Sequence, residues 1–442
     1  MTFVPPALGM SNHALLAIGV LVLGAIVVLL LVGPISTRAS LAAGLGVPFA
    51  VVAAIVGLQA PLPFSLAIVG LCLVATIALL LLPALEAEVP AHVAEAAALL
   101  LLGAAGAIAL ASASDLLQSV VGLETLALSA VTLVAISRGT RPLEAAFKYF
   151  VLGAISLGGL LYGLGLIYLS TGSFGFPNVA QLSNTTTLVG AVLVGLGIAF
   201  ELAVFPLHWG GLDAYTAAAP ALAGYVMSAS KLAAAFALGR LVLATGAPVA
   251  QVLVWVGTVT IAWGTFGALA QGGNLRRMLG YSAVTHAGFI ALAVGSGPDG
   301  PITAAFYAAV YGTMAMLVFA ALATTPSGDL STLGRFRSGA LALGLFSLSG
   351  IPPTPGFWAK LAVLVVAWQA GGAIPTLIAV AGGVFSVLYY LRPIPEIFSA
   401  LRGRAPETAR LAVPVPGIAL AAALVIILGL FPGLAWTLAR GG

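Results

Sequence analysis

The chain has 442 residues, of which 61% are hydrophobic and only 6% are charged. Because soluble domains carry about a quarter charged residues, this composition excludes a soluble enzyme and indicates that a lipid bilayer surrounds most of the chain. The net charge of +4 comes from scattered basic residues, which argues against nucleic-acid binding. The single cysteine, Cys72, excludes a disulfide framework, a cysteine-ligated zinc site and an iron–sulfur cluster within the chain.

Apolar segments long enough to cross the hydrocarbon core recur along the whole sequence. They predict an all-α, polytopic membrane protein with about 14 transmembrane helices, numbered here as predicted helices 1 to 14. No positive charge precedes the first apolar stretch, so we expect no cleaved signal peptide. The ranges are 13–33, 41–58, 63–82, 93–112, 115–136, 143–169, 186–213, 218–244, 249–271, 278–295, 302–324, 339–368, 374–391 and 412–434.

Arginines in the connecting segments predict the orientation of the helices. Nearly all follow odd-numbered predicted helices, and Arg240, at the end of predicted helix 8, is the exception. Short arginine-rich loops face the cytoplasm. We therefore expect a multi-pass protein of a bacterial inner (cell) membrane with both termini on the outer, periplasmic side. The loop arginines are Arg38, Arg138, Arg141, Arg276, Arg277, Arg335, Arg337, Arg392, Arg402, Arg404 and Arg410.

A second set of ionisable residues lies within the apolar segments or beside them. An ionisable group inside a bilayer costs several kcal/mol, so its default interpretation is functional. Lysine, glutamate and histidine exchange protons, whereas arginine does not, and the set therefore predicts proton transfer. The alternative is that these charges form structural ion pairs between helices. The set comprises Glu124, Lys148, Glu201, His208, Lys231, His286 and Lys360.

The energies of such a proton path are of a suitable size. A carboxylate about 4 Å from a lysine contributes roughly 4 kcal/mol at an effective dielectric constant of about 20. Moving one charge against a membrane potential of about 100 mV requires about 2.3 kcal/mol. Making and breaking one ion pair is therefore enough to drive such a step.

Two predicted helices contain proline in their interiors. Pro206 interrupts predicted helix 7, and Pro352 and Pro353 interrupt predicted helix 12. Corresponding breaks in two halves are typical of inverted-repeat transporters, which predicts two inverted five-helix repeats, helices 4–8 and 9–13. The resulting single membrane domain, 1–442, divides into N-terminal helices 1–3 (1–92), the first repeat (93–244), the second repeat (245–395), and a loop with the C-terminal helix (396–442).

Five stretches around these residues form a specific set. They are FKYFVLGA (147–154), PLHW (206–209), SKLAA (230–234), NLRRMLGYSAVTHAG (274–288) and LSGIPPTPGFWAK (348–360). In kind and order they resemble the antiporter-like membrane subunits of respiratory complex I, the NADH–quinone oxidoreductase. The resemblance covers roughly residues 115–365. The lysine of predicted helix 12 and the intact stretch around Lys148 favour subunit N among these subunits.

The resemblance implies a role for individual residues. Glu124 matches the glutamate that tunes the pumping lysine, and Lys231 matches the lysine that connects two half-channels. His286 matches the histidine of the central hydrophilic axis, and Lys360 matches the lysine on the proton-exit side. The family carries no cofactor or metal in this subunit. Flavin, iron–sulfur clusters and quinone are expected in other subunits.

One residue departs from the family pattern. Glu201 occupies the position where the family usually has a lysine, so that Glu124 would lie beside a second carboxylate. Two neighbouring carboxylates tend to share one proton. We therefore expect Lys231 or Lys148 to act as the cationic partner; alternatively, this site has degenerated and contributes less transport.

The resemblance implies a proton-translocating subunit that couples quinone reduction elsewhere in the complex to pumping, without a redox site of its own. Its expected partners are other membrane-arm subunits, the lipid bilayer and protons. One alternative is a subunit of a multisubunit sodium/proton antiporter, which shares the same motifs. Another is a structural scaffold in which the charges only hold helices together.

Overall fold

The computed structural model describes residues 10–33, 38–85, 92–137, 139–323, 330, 333–402, 414–433 and 436. Over these residues the chain is helical, as predicted, and contains no strand. The helices are Asn12–Leu31 (α1), Ala39–Leu58 (α2), Phe64–Leu80 (α3), Leu82–Leu85 (α4), Val93–Ala111 (α5), Leu116–Ala135 (α6), Thr140–Thr171 (α7), Thr185–Leu202 (α8), Trp209–Ala217 (α9), Pro220–Thr245 (α10), Ala247–Leu269 (α11), Leu275–Val294 (α12), Gly300–Leu322 (α13), Arg335–Ser349 (α14), Pro355–Gln369 (α15), Ala373–Leu391 (α16), Ile394–Arg402 (α17) and Val415–Leu430 (α18).

Each predicted transmembrane segment is occupied by helix. In the described part of the chain, 10 helices are long and apolar enough to cross a membrane. The other four predicted segments are α3 and α18, which are shorter apolar helices, α12, and the broken pair α14 and α15. The prediction of a polytopic protein with about 14 membrane helices is confirmed. The short helices α4 and α17 were not predicted.

Polar side chains fix where several helices begin. Asp115 accepts a hydrogen bond from the Gln118 N–H over 2.8 Å at the start of α6. Asn274 does the same for Arg277 over 3.0 Å at the start of α12. Such N-caps satisfy backbone donors that have no partner inside the helix. The caps therefore fix where α6 and α12 begin, which the apolar composition alone does not.

Both predicted helix breaks are present. Helix α8 ends at Leu202, and the next residue, Ala203, has the left-handed φ of 63°. Helix α14 ends at Ser349, and Gly350 has a φ of 82°. A left-handed alanine costs roughly 1–2 kcal/mol, whereas glycine adopts this conformation freely. The two breaks therefore share a backbone turn, and the first one carries strain.

The contacts between helices repeat along the chain. Helix α5 packs against α6 and α10, and α11 packs in the same way against α12 and α16. Likewise α7 packs against α8 and α9, as α13 packs against α14 and α15. Because each set spans the membrane five times, the second is inverted relative to the first. This agrees with the two inverted repeats, while the exact boundaries 93–244 and 245–395 stay a prediction.

Helices α10 and α13 form the centre of the molecule. They pack against each other and are buried along almost their entire length. Their side chains therefore face other helices instead of lipid. A polar group on either helix must find its partners inside the protein.

Several arginines gather at one end of the helices, which we call the arginine-rich face. Arg337 donates to the Ala321 carbonyl over 3.0 Å, Arg392 donates to the Leu269 carbonyl over 2.7 Å, and Arg276 donates to the Ala218 carbonyl. These carbonyls lie at the C-terminal ends of α13, α11 and α9, where partial negative charge accumulates. The arginines thus cap helices at this end of the molecule. The predicted loop arginines Arg138, Arg404 and Arg410 lie outside the described residues.

Candidate functional site

Glu124 and Glu201, which the family resemblance placed next to each other, line the same cavity. This cavity has a volume of about 160 Å³ and lies between α6, α7 and α8. Glu201 is 1% exposed, and neither of its carboxylate oxygens completes a hydrogen bond, although the hydroxyls of Ser230 and Tyr149 lie beside it. Glu124 is half-buried and interacts electrostatically with Glu201. Two neighbouring carboxylates repel each other when both are ionised, so this pair can share one proton.

Lys231 lies in the middle of α10 with 0% of its surface exposed. Its Nζ donates to the Tyr215 hydroxyl over 3.4 Å and lies 4.8 Å from the centre of that ring and 5.7 Å from the ring of Tyr311. It interacts electrostatically with Glu201. Of the two lysines proposed as the cationic partner of Glu201, Lys231 therefore has the right position.

Lys148 lies elsewhere, near the arginine-rich face. Its Nζ is 2.6 Å from a Glu144 oxygen and 3.5 Å from an Asp213 oxygen, and its side chain is 48% exposed. Arg277 also pairs with Asp213, over 3.6 Å. Asp213 thus joins α7, α9 and α12. This surface network favours a structural role for Lys148.

His286, on α12, is held by two tyrosine hydroxyls. Its Nδ1 lies 2.7 Å from the Tyr307 hydroxyl, and its Nε2 lies 3.1 Å from the Tyr390 hydroxyl. The ring also lies 4.7 Å from the ring of Tyr311. Since both ring nitrogens are hydrogen-bonded to groups that donate or accept, His286 can pass a proton in either direction.

Lys360 is positioned by the second helix break. Its Nζ donates to the Ser349 carbonyl over 2.8 Å and to the Ser386 hydroxyl over 2.9 Å. Ser349 ends α14, so this carbonyl is left free by the break and lies at the negative end of the helix dipole. Lys360 is 8% exposed, and no acidic residue forms a salt bridge with it in the described part of the chain. A backbone carbonyl stabilises the ammonium group here without a full counter-charge.

These residues form one continuous series, which we call the central polar row: Glu124, Glu201, Lys231, His286 and Lys360. Electrostatic interactions link Glu124 to Glu201, Glu201 to Lys231, and His286 to both Lys231 and Lys360. The row therefore runs from the first repeat through the centre to the second. A change of charge at one member alters the energy of a proton at the next.

His208, also predicted as a site residue, lies outside the row at the first break. Its Nε2 accepts a hydrogen bond from the Trp263 indole over 2.9 Å. Its ring lies 4.6 Å from the ring of Trp209 and 5.7 Å from that of Phe205. Because an indole nitrogen only donates, this Nε2 carries no proton. The environment favours aromatic packing at the break.

Sequence reasoning missed two features of the site. The first is the set of buried tyrosines around the row, although the spacing of Tyr307 and Tyr311 places both on one face of α13. The second is Arg240, which we expected to be a loop charge. It is instead 1% exposed within α10, between the rings of Phe64 and Phe176 at 5.4 and 5.5 Å, and its guanidinium nitrogens complete no hydrogen bond.

Comparison with known proteins agrees with this architecture. Residues 113–386 match the family described as NADH:quinone oxidoreductase/Mrp antiporter, transmembrane. NADH-quinone oxidoreductase subunit N of Deinococcus radiodurans is 34% identical over 420 residues, covering 89% of this chain and 84% of that protein.

Two solved structures have the same fold. A chain of the membrane-bound sulfane sulfur reductase, an archaeal respiratory membrane complex, superposes with a TM-score of 0.83 at 26% identity, covering 97% of this chain and 96% of that one. A chain of respiratory complex I from Thermus thermophilus gives a TM-score of 0.77 at 27% identity, covering 96% of this chain and 100% of that one. The resemblance predicted from the motifs is confirmed. The chain belongs to the NADH:quinone oxidoreductase/Mrp antiporter transmembrane family.

Proposed function

We propose that this chain translocates protons as the N-type antiporter-like subunit of an NADH–quinone oxidoreductase. The observation that carries the proposal is the central polar row, a series of protonatable side chains that crosses the interior of both repeats. The chain supplies the proton path. Flavin, iron–sulfur clusters and quinone belong to other subunits of the enzyme, where the redox chemistry takes place.

The row works through charge. When Lys231 carries a proton, it favours an ionised Glu201 and disfavours a proton on His286. Loss or displacement of that charge reverses both effects. Two unit charges about 4 Å apart interact by roughly 4 kcal/mol at an effective dielectric constant of about 20, and by proportionally less at larger separations. Interactions of this kind are therefore of the same order as the cost of about 2.3 kcal/mol for moving one charge against about 100 mV. Lys360 is then the last protonatable group of the row, from which the proton is released.

The surroundings of the chain follow from the same proposal. Other membrane-arm subunits are its partners, and lipid covers its remaining apolar helix faces. The arginine-rich face lies in the cytoplasm because short, arginine-rich connections stay on that side. Both termini then lie on the outer side of the bacterial inner membrane.

Purification of the chain from its native membrane tests the assembly. We expect flavin, iron–sulfur clusters and NADH–quinone activity to co-purify with it. An isolated chain or a redox-free complex that exchanges sodium for protons in vesicles would instead identify an antiporter subunit and contradict the proposal.

A further inference from the structure

A second cavity opens among the connections at the arginine-rich face. It has a volume of about 860 Å³ and lies between the segments that precede α7, precede α12 and follow α16. Its charged lining residues are Arg141, Arg276, Arg392 and Glu396. Arg276 and Arg392 are fixed to helix carbonyls, so they belong to the wall of the cavity. The cavity is therefore a polar approach into the second repeat.

Tyr389, on α16, forms part of the wall of this cavity. The residue is 0% exposed, so the cavity ends at its ring. Its hydroxyl is buried and completes no hydrogen bond, although the hydroxyls of Thr285, Ser386 and Tyr390 lie around it. A buried hydroxyl without a partner is costly, and a functional role is one of the reasons for which native proteins keep such groups.

Two of these neighbours lead to the central polar row. The Tyr390 hydroxyl lies 3.1 Å from His286 Nε2, and the rings of Tyr389 and Tyr390 are 4.6 Å apart. The Ser386 hydroxyl lies 2.9 Å from Lys360 Nζ. One hydroxyl thus stands between the cavity and both protonatable groups of the second repeat.

We propose that the Tyr389 hydroxyl is a gated relay that admits protons from the arginine-rich face to His286 and Lys360, without passage through Glu124 and Glu201. The inference rests on the proposed function. The hydroxyl oxygen accepts a proton from water in the cavity while its own proton passes to Tyr390 or Ser386, so the tyrosine keeps its net charge. Tyr390 delivers to His286 Nε2, and Ser386 delivers to Lys360 once that lysine has released its proton.

In the present conformation the relay is closed, and this closure prevents backflow of protons. Because no surface of Tyr389 is exposed and its hydroxyl completes no hydrogen bond, the cavity does not connect to the row in this conformation. A small rotation of the side chain makes the connection. Entry is therefore gated, and protons do not leak back from Lys360 to the arginine-rich face.

Tyr389→Phe tests the relay, because it removes one hydroxyl that holds no hydrogen bond and should leave assembly intact. In the whole complex reconstituted in vesicles, we expect the protons pumped per NADH oxidised to fall as far as in Lys360→Met. We also expect a Tyr389→Phe, Lys360→Met double variant to lose no more than either single variant. Tyr225→Phe is the matched control: it removes a buried hydroxyl that donates to the Leu100 carbonyl over 2.7 Å, away from the cavity.

A protonatable replacement separates a relay from a packing role. Tyr389→His should restore at least part of the pumping that Tyr389→Phe loses. The relay is contradicted if Tyr389→Phe pumps like the unmodified complex, if Tyr225→Phe lowers pumping equally, or if Tyr389→His does not improve on phenylalanine. If Lys360→Met itself pumps normally, the proposed function fails, and with it the relay. If Lys360→Met loses pumping while Tyr389→Phe pumps normally, the relay is wrong but the proposed function stands.

Discussion

Glu201 and Lys231 interact electrostatically inside the core, yet no salt bridge joins them and neither oxygen of Glu201 completes a hydrogen bond. The Coulomb energy of two such groups depends on the distance between them, so a movement of either helix changes the energy of a proton on each side chain. The first repeat thus holds a carboxyl group and an amine whose interaction a shift of α8 or α10 can strengthen or weaken. A change in this interaction alters the charge on Lys231, which in turn affects His286, the next member of the row.

Glu201→Gln keeps the size of the side chain and removes its charge. We expect the rate of proton pumping to fall several-fold, because Lys231 loses the interaction that changes its charge. Glu201→Lys should keep more than half of the pumping, because Glu124 then provides the neighbouring carboxylate. Proton uptake and NADH–quinone activity measured on the same vesicles check both variants. Full stoichiometry in Glu201→Gln would show that this residue takes no part in transport.

His208 is expected to tolerate replacement by another hydrogen-bond acceptor. His208→Gln keeps a partner for the Trp263 N–H, so pumping and thermal stability should stay near normal. His208→Leu leaves that donor unsatisfied and should destabilise the protein by roughly 1–3 kcal/mol, with unchanged pumping per assembled complex. Thermal unfolding and proton pumping of the two variants test this. A glutamine variant that assembles normally but does not pump would instead make His208 a proton carrier.

The close packing of α11 and α12 depends on glycine. A Cβ atom on Gly288 would lie 2.7 Å from the Gly257 carbonyl oxygen, and a Cβ on Gly106 would lie 2.7 Å from the Leu126 nitrogen in the equivalent pair α5 and α6. Gly288→Ala and Gly106→Ala should therefore lower the thermal midpoint and the yield of assembled complex. Gly158→Ala, where no atom lies within 4 Å, is the control and should change neither. Equal effects at all three positions would contradict this account of the packing.

Arg240 should contribute little to stability despite its burial. Its charge is desolvated, lies between aromatic rings and interacts with Asp115 without a salt bridge, so Arg240→Met should leave stability unchanged or raise it by about 1–4 kcal/mol. Arg337→Met is the matched variant, because Arg337 is also buried but donates to the Ala321 carbonyl. We expect only the second variant to lower the thermal midpoint. A larger loss in Arg240→Met would show that its charge has a partner essential to the fold.

The sequence was sufficient for the fold because its signals are strong and local. Apolar length predicts each membrane helix, and Pro206, Pro352 and Pro353 mark both breaks. The short helix α17 was missed because its nine residues lie next to a membrane helix and carry too few apolar residues to form a separate span. The residues Ala203 and Gly350, which make the turns, have no comparable signature in an apolar run.

The candidate site was predicted only in part, for a physical reason. Lysine, glutamate and histidine stand out in apolar segments because their burial is costly. Tyrosine is tolerated there, so Tyr215, Tyr311 and Tyr389 gave no signal although they connect the charged groups. The cationic partner of Glu201 could not be chosen from the sequence, which offered both Lys148 and Lys231. The packing of α8 against α10 brings Lys231 near Glu201.

The most direct test of the account is the number of protons pumped per NADH oxidised by a complex that carries Lys231→Met or Lys360→Met. Arginine variants at the same positions serve as controls, since they keep the charge but cannot release a proton. We predict that methionine and arginine both lower the ratio while the assembled complex still oxidises NADH. A ratio equal to that of the unmodified complex in the methionine variants would contradict proton transfer through the central polar row and leave these charges a structural role.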